Sequence, residues 1–430
     1  MSALQQLLAQ KIPQWRDEQK RMLAQFGQQN VSDVSLAQLM RGMRGVSAVI
    51  CDTSYVDPQK GLLIRDLPLT KLMDRSAEEL FFLMCAGQLP DAAQLSDLQQ
   101  DILRRTEVPA YVWRVLDSLP ENLHPMTMLS IATLSMRNES AFDRATAGNT
   151  AKSDLWQPML EDALNLIAWL PLIAGKIYQK YLKKQPPMPA SKQSDFSDRF
   201  ADALGFSADD QPFRAFLHRF IIVHCDHEGA NASVLTSRVV HSTQSDLYYS
   251  LSGAMNCLAG PLHGLANQTS VRFVMEIQRE FGGIPTEKAL SDWIWQRLNN
   301  GLVIPGFGHA VLRDVDPRYQ ALLDFGEQVC PDDALFRITA MLGEVVPPLL
   351  QKQGKAASPY PNIDGISGTL LYHFGMTELE FYTVMFSVAQ SIGISAQLIL
   401  MRALHTPIFR PKSVTTALLQ QQFATNSQKR

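Results

Sequence analysis

The sequence predicts a mostly helical globular protein, and three observations support this fold class. Apolar residues recur at helical spacing near the start of the chain, at Leu4, Leu7, Leu8 and Ile12. Ser76 precedes an apolar run and Glu79 follows three residues later, a pattern typical of a capped helix start. Residues 378–404 are long and apolar with small residues spaced among them, which indicates a helix buried against other helices.

Strand signals are few. Residues 46–51 and 61–65 are apolar stretches on either side of an Asp57-Pro58 turn signal. We therefore expect one short hairpin formed by these two stretches and an otherwise all-α protein.

Composition limits the function classes. The chain has 430 residues, and this length predicts either two or three domains or one large helical domain with a smaller one attached. Hydrophobic residues make up 46% and charged residues 19%, which is typical of a globular protein. The net charge is -3 and the sequence pI is about 6.3, so neither nucleic acid nor an anionic membrane is expected as the main partner.

The five cysteines contain no CxxC pair, and their number is odd. This argues against a disulfide scaffold and a zinc site, and favours a reducing compartment. The first residues lack a basic segment followed by an apolar core, and the longest apolar stretch, near 166–175, is too short to span a membrane. We therefore expect a cytoplasmic protein without a membrane segment.

Three histidines lie beside glycines in loop-like segments. They are His227 in DHEG, His263 in GPLHG and His309 in GFGHA. A neighbouring glycine leaves the ring uncrowded and lets a ligand approach the backbone, and histidine can donate a hydrogen bond or exchange a proton near pH 7. Each histidine alone is more often structural, whereas three in similar settings together indicate a functional site.

Three further charged residues lie in loop-like segments, and two of them have two possible interpretations each. Arg318 follows the Asp316-Pro317 turn signal and either belongs to a salt-bridged turn or binds a carboxylate. Asp364 stands among prolines and glycines and either caps a helix or acts as a base. Arg410, in FRPKS, would ordinarily belong to a solvated basic tail.

These segments resemble the signature sequences of the citrate synthase family, and the eukaryotic type I branch fits best. The resemblance runs in order along most of the chain through GMRG (42–45), HCDHEGANAS (224–233), LAGPLHGLANQ (258–268), VIPGFGHAVLRDVDPRY (303–319), YPNIDGISG (360–368) and FRPKS (409–413). It implies a homodimer in which residues 1–265 and 377–430 form a large helical domain. Residues 266–376 would form a smaller domain that binds CoA and closes over the substrates.

The resemblance also implies roles for the histidines and for Asp364. Asp364 would remove the α-proton of an acyl-CoA, and His263 would hydrogen-bond the acyl oxygen. His309 would polarise the ketone of a 2-oxo acid. Neither a metal nor a cofactor besides the CoA thioester is expected, since the histidines perform the task that a Lewis acid would otherwise perform.

The binding residues follow from the same resemblance. The 2-oxo acid would be held by His227, Arg318 and Arg410, the last reaching in from the partner subunit. CoA would lie along Arg44, Val303, Pro305, Gly306, Phe307 and Asn362.

Gln390 departs from the family, which normally has an arginine there that binds the carboxylates of oxaloacetate. Glutamine offers fewer donors and no charge. Three hypotheses therefore remain. The first is condensation of an acyl-CoA, most simply acetyl-CoA, with oxaloacetate. The second keeps this chemistry with another 2-oxo acid, and the third is a non-catalytic dimer that binds CoA or a metabolite.

Overall fold

A computed structural model describes residues 1–189 and 191–427 of the chain. The described residues are mostly helical, which confirms the predicted fold class. Their α-helices are α1 (Ala3–Phe26), α2 (Leu36–Met40), α3 (Ala77–Ala86), α4 (Ala92–Arg104), α5 (Ala110–Asp117), α6 (Pro125–Ser135), α7 (Ala141–Ala147), α8 (Trp156–Lys176), α9 (Phe196–Ala203), α10 (Gln211–His224), α11 (Ala232–Ser242), α12 (Leu247–Leu258), α13 (Ala266–Phe281), α14 (Glu287–Asn299), α15 (Pro317–Val329), α16 (Ala334–Gln353), α17 (Ser367–His373), α18 (Tyr382–Ala403) and α19 (Thr416–Ser427).

A small antiparallel sheet contains β1 (Ser54–Asp57), β2 (Gly61–Ile64) and β3 (Leu67–Pro68), in that order. The predicted hairpin turn is confirmed, because the Asp57 carboxylate accepts the backbone N–H groups of Gln59 and Lys60 at 2.9 Å each. The prediction of a first strand at 46–51 is wrong, because these residues have no regular secondary structure. A tight turn pairs Ser54 with Ile64, and the chain then bends into β3, so no strand partner remains for residues 46–51.

The central helix of the large core is α18. It packs against α8, α3, α10 and α12, and its residues are buried on all faces. The segment Leu379–Ala403 is long and apolar enough to cross a membrane, but 94% of its most apolar window is buried inside the protein. This burial identifies it as a core helix, in agreement with the prediction for residues 378–404.

A second, smaller core lies between α13, α14 and α16 and includes Phe273, Ile294 and Ile338. Helix α15 instead packs Tyr319, among other residues, into the large core. The second core thus falls inside the segment 266–376 that was predicted to be the small domain. The domain boundary itself stays a prediction.

Close packing joins α18 to the segment that carries His227. The backbone N–H of Gly393 donates to the carbonyl oxygen of Cys225 at 2.9 Å. A Cβ at position 393 would overlap with that oxygen and with the Asp226 side chain, so only glycine allows this approach. Asp226 in turn accepts hydrogen bonds from Thr53 and Ser54 at 2.8 Å each, which ties the start of the sheet to the same place.

Candidate active site

Two loops lie side by side, one leading to His309 and the other to Asp364. The backbone N–H of Gly308 donates to the carbonyl oxygen of Tyr360 at 2.9 Å, and that of Asn362 donates to Gly306 at 3.0 Å. The Asn362 amide also donates to the carbonyl oxygen of Gly308 at 2.7 Å. These hydrogen bonds hold two segments about 50 positions apart in sequence side by side. We call the two segments, residues 305–309 and 360–364, the loop ridge.

Gly306 allows the close approach of these loops. Its φ is +81°, a left-handed conformation that favours glycine, and a Cβ there would lie 2.6 Å from the Cα of Gly365. Any larger residue would therefore push the loop of Asp364 away from the loop of His309.

A buried ion pair lies beneath this ridge. Asp316 caps α15 and accepts hydrogen bonds from the Arg318 guanidinium at 3.0 Å from Nε and 2.7 Å from Nη2. It also accepts the backbone N–H of Ile363 at 3.3 Å, directly before Asp364. Arg318 is 6% exposed, and its Nη1 makes no hydrogen bond to any described residue. This nitrogen is available for a ligand carboxylate.

His309 is held as a neutral ring with a proton on Nε2. Its Nδ1 lies 3.0 Å from the backbone nitrogens of both Val311 and Leu312. A backbone N–H can only donate, so Nδ1 accepts and carries no proton. Burial, reinforced by the Arg318 charge, lowers the pKa of His309 to about 4. At neutral pH the ring therefore presents Nε2–H as a hydrogen-bond donor.

His227 lies beside His309, with their ring centroids 5.7 Å apart. Burial, followed by the charge of Arg318, lowers the pKa of His227 to about 3. Its Nδ1 is buried and has no hydrogen-bond partner among the described residues. A buried polar atom without a partner is costly, and a ligand that supplied one would remove this cost.

His263 lies in the turn between α12 and α13. The backbone N–H of Ser233 donates to its Nε2 at 3.2 Å, so that Nε2 accepts and Nδ1 carries the proton of the neutral ring. Burial lowers the pKa of His263, which favours the neutral ring. His263 thus presents Nδ1–H as a donor.

Asp364 is partly buried at the start of a short turn before α17, where its backbone N–H donates to Asn362 Oδ1 at 3.0 Å. Burial raises the pKa of the Asp364 carboxyl to about 6, and the Arg318 charge opposes this rise. A carboxylate with a pKa slightly below neutrality is ionised at pH 7 and is a stronger base than a solvated aspartate.

The predicted site residues fall into three groups. His227, His309, Arg318 and Asp364 form one electrostatic group, while His263 lies against Ser233 and Gln390. The CoA candidates Pro305, Gly306, Phe307 and Asn362 lie on the loop ridge. Arg44, Val303 and Arg410 are exposed to solvent.

Sequence reasoning missed three residues of the site. Asp316 was interpreted as part of a turn, and the salt bridge of that interpretation is present with Arg318 as its partner. His224 is buried near Arg318, and burial lowers its pKa to about 3. Ser233 contacts His263 and Gln390. Spacing gave no signal for Ser233, because its partners are 30 and 157 residues away.

No group of three or more His, Cys, Asp or Glu side chains within residues 1–189 and 191–427 is arranged to hold a metal ion. The five cysteines are all free. The polar groups of the site are therefore the three histidines, Asp364, the Asp316–Arg318 pair and their neighbours.

A family model described as "Citrate synthase, C-terminal domain" matches residues 42–412. "Citrate synthase 4, mitochondrial" of Arabidopsis thaliana is 38% identical over 427 residues, which cover 97% of this chain and 90% of the relative. "Citrate synthase, mitochondrial" of Citrus maxima is 39% identical over 418 residues, which cover 95% and 88% of the two chains. These relatives are mitochondrial, so the cytoplasmic location predicted from the sequence is wrong, and the comparison points to mitochondria.

Two solved structures of citrate synthases are also similar to this chain. Citrate synthase from Pyrobaculum aerophilum aligns with a TM-score of 0.77 and 26% identity, covering 87% of this chain and 92% of that one. The Thermoplasma acidophilum enzyme, in complex with carboxymethyl coenzyme A and oxaloacetate, aligns with a TM-score of 0.74 and 23% identity over 87% and 95% of the chains. The second likeness supports the fold alone.

We expect His309 and His227 each to lower the free energy of unfolding as pH drops from about 6.5 towards 4, whereas the raised pKa of Asp364 acts in the opposite direction. The folded-state pKa values of His309 and His227 lie below that of an unfolded histidine, so at these two side chains only the unfolded chain takes up protons in this range. The stabilisation that the two neutral rings provide is complete above about pH 6.5, the pKa of an unfolded histidine. It is lost as the pH falls through the folded-state pKa values. At pH 5, each histidine is expected to lower the free energy of unfolding by about 2 kcal/mol relative to pH 7.

Urea unfolding of the wild type and of His309→Asn at pH 7 and pH 5 measures this effect. The variant should lose about 2 kcal/mol less between the two pH values than the wild type does. His124→Asn, which replaces an exposed histidine at a helix N-terminus, is the control and should behave as the wild type. Equal losses in His309→Asn and wild type would contradict the neutral, buried state of His309.

Proposed function

Since the chain belongs to the citrate synthase family, we propose that it condenses acetyl-CoA with oxaloacetate and hydrolyses the resulting thioester to citrate and CoA. The family model and the curated relatives carry this proposal. The observation that best supports it within the site is the combination of two neutral histidine donors with one carboxylate of raised pKa. Citrate synthases need no cofactor beyond the CoA substrate.

The first step makes a carbon nucleophile. Asp364 removes a proton from the methyl group of acetyl-CoA, and the negative charge moves to the thioester oxygen. A carboxylate is far too weak a base to do this unaided, so the oxygen needs a donor placed where the charge develops. His263 supplies Nδ1–H for this purpose, because Ser233 occupies its Nε2. Such a donor typically contributes about 10²–10³ in rate.

The second step forms the carbon–carbon bond. His309 donates Nε2–H to the ketone oxygen of oxaloacetate, and the acetyl methyl carbon attacks the ketone carbon. The new alkoxide takes the Nε2 proton of His309, and the proton that Asp364 removed returns to the ring through water, so that His309 is neutral again, Asp364 is ionised again and the product is citryl-CoA. Arg318 Nη1 and His227 bind a carboxylate of oxaloacetate, because His227 Nδ1 is buried without a partner beside His309 and Arg318 uses Nε and Nη2 for its hydrogen bonds to Asp316. Water then breaks the C–S bond, which releases citrate and the CoA thiol.

CoA lies along the loop ridge in this proposal. Val303 is 80% exposed, and Pro305, Gly306 and Phe307 lead from it to His309. Asn362 holds this loop through the Gly308 carbonyl. Residues 266–376 move with the second core and close over the substrates, and Arg44 reaches CoA from the exposed turn at 41–45. Closure removes water from the thioester before the enolate forms.

A homodimer completes the site in the proposal. Arg410 is exposed and lines an apolar surface groove between the end of α1 and the segment after α18. Exposed apolar residues on the groove are Met22, Leu23, Phe26, Val31, Ile50 and Ile408. A contiguous apolar surface of this kind is typical of a subunit contact. A second subunit covers the groove, and each Arg410 reaches the site of its partner.

Gln390 favours a second candidate function, the same condensation with a different 2-oxo acid. The side chain is 2% exposed, and its Oε1 lies 3.0 Å from Ser233 Oγ. It brings no positive charge to a second carboxylate. A hydrogen bond to a charged group contributes about 1.5–3 kcal/mol and a neutral one about 1 kcal/mol, so a dicarboxylate is held more weakly than by an arginine.

The first test is CoA release, followed with a thiol reagent in the presence of acetyl-CoA and oxaloacetate. Asp364→Asn should lower kcat by about 10²–10⁴, because the amide cannot accept the methyl proton. Asp324→Asn is the matched control, since Asp324 is exposed on α15 and accepts only from Gln320. If Asp364→Asn retained the kcat of the wild type, the assignment of the base would be wrong.

Gln390→Arg separates the two candidate 2-oxo acids. The variant should lower KM for oxaloacetate about tenfold, because it adds a charged donor for a carboxylate. A panel of monocarboxylic 2-oxo acids should show no such gain. Gln390→Lys, which has the charge without the planar fork, is the control and should gain less. A wild type that uses a monocarboxylic 2-oxo acid better than oxaloacetate would favour the second candidate.

Mixing subunits tests the role of Arg410 across the dimer. His263→Ala and Arg410→Ala homodimers should each be nearly inactive. When they are unfolded together and refolded, a mixed dimer has one site with both residues intact. About one quarter of the wild-type activity should therefore return. If Arg410 served its own subunit, every site would lack one residue and no activity would return.

A further inference from the structure

The hydroxyl of Ser233 lies at the meeting point of three polar groups. Ser233 is fully buried near the N-terminus of α11, and its Oγ lies 2.9 Å from His263 Nε2. Gln390 Oε1 and Asn231 Oδ1 are each 3.0 Å from the same oxygen. The hydroxyl has one proton, so it can donate to only one of these three atoms.

All three neighbours are acceptors when the two amides present their oxygens. Gln390 Oε1 and Asn231 Oδ1 have no proton, and His263 Nε2 already accepts the Ser233 backbone N–H. Two of the three contacts would then place lone pairs against each other. In addition, Gln390 Nε2 is buried without a partner, so two N–H groups are left unpaired. Unpaired buried donors are rarer and more costly than an unpaired carbonyl oxygen.

A half-turn of both amides removes this conflict. Gln390 Nε2 and Asn231 Nδ2 then donate to the two lone pairs of Ser233 Oγ, and the hydroxyl donates its own proton to His263 Nε2. Each contact now has one proton, and the buried Gln390 amide keeps only its oxygen unpaired. The amide oxygen and nitrogen have nearly the same shape, so no other atom has to move.

We propose that Gln390 is a positioning residue for His263, because its amide donates to Ser233 and thereby directs the Ser233 hydroxyl proton to His263 Nε2. The proposal rests on the proposed function, in which His263 donates Nδ1–H to the thioester oxygen. Two donors at Nε2 hold the ring in the Nδ1–H tautomer. The feature that Gln390 contributes is an N–H donor towards Ser233, which arginine also has and glutamate lacks.

Gln390→Glu tests the proposal at a pH at which the new carboxyl is ionised, because an ionised carboxylate can only accept. The Ser233 hydroxyl would then donate to Glu, and its lone pair would accept from His263, which favours Nε2–H. We expect the ratio of the Nδ1–H to the Nε2–H tautomer of His263 to fall about tenfold. Imidazole ¹⁵N spectra of the free, ¹⁵N-histidine-labelled full-length protein measure this ratio, with the His263 signals assigned by their loss in His263→Asn.

Ser233→Ala is the second variant, since it removes the hydroxyl and keeps the backbone N–H. It should shift the tautomer ratio in the same direction, and it decides the question if Gln390→Glu does not fold. Ser391→Ala is the control, because that buried hydroxyl donates only to the Val388 carbonyl in the same helix. It should leave the tautomer ratio unchanged.

A wild-type tautomer ratio in the folded Gln390→Glu protein would overturn the proposal, because it would mean that Ser233 already donates to Gln390 in the wild type. An unchanged ratio in Ser233→Ala would overturn it as well. The spectra need no substrate. A wild type that fails to release CoA while His263 shows the expected response would refute the proposed function alone.

Discussion

Asp316 and Arg318 form an ion pair in the interior of the protein, and the chemistry of the site depends on it. Asp316 caps α15, pairs with Arg318 and accepts the backbone N–H that precedes Asp364. The Arg318 charge adds to burial in lowering the pKa values of His227 and His309, and it opposes the rise at Asp364. Removing one partner of a buried pair typically costs about 3–5 kcal/mol, because the other charge is left uncompensated.

Neutral histidines are the consequence of this arrangement. An imidazolium would be a stronger acid, but its formation inside a buried site next to an arginine is unfavourable. The protein instead uses backbone N–H groups to choose the tautomer, at Val311 and Leu312 for His309 and at Ser233 for His263. Each neutral ring then has one donor in a fixed direction, which is what a developing oxyanion requires.

The sequence allowed the helical class to be predicted, and it singled out candidate site residues because glycine-flanked histidines and Asp364 lie in recognisable local segments; their roles stay predictions. The strand at 46–51 was wrong, since strand pairing depends on the turn register and not on apolar character alone. The cytoplasmic location was also wrong. The contacts of Ser233 with His263 and Gln390 could not be predicted, because they join α11, the turn between α12 and α13, and α18, which only the tertiary packing brings together.

The central claim is that one methyl proton is removed and the resulting carbon attacks a ketone. Mass spectrometry of the product made from acetyl-CoA with a fully deuterated methyl group tests it most directly, with oxaloacetate as the second substrate. The account predicts citrate that retains two of the three deuterons, because Asp364 removes one before the carbon–carbon bond forms. Acetate with all three deuterons and no labelled citrate would mean simple thioester hydrolysis, and would contradict the account.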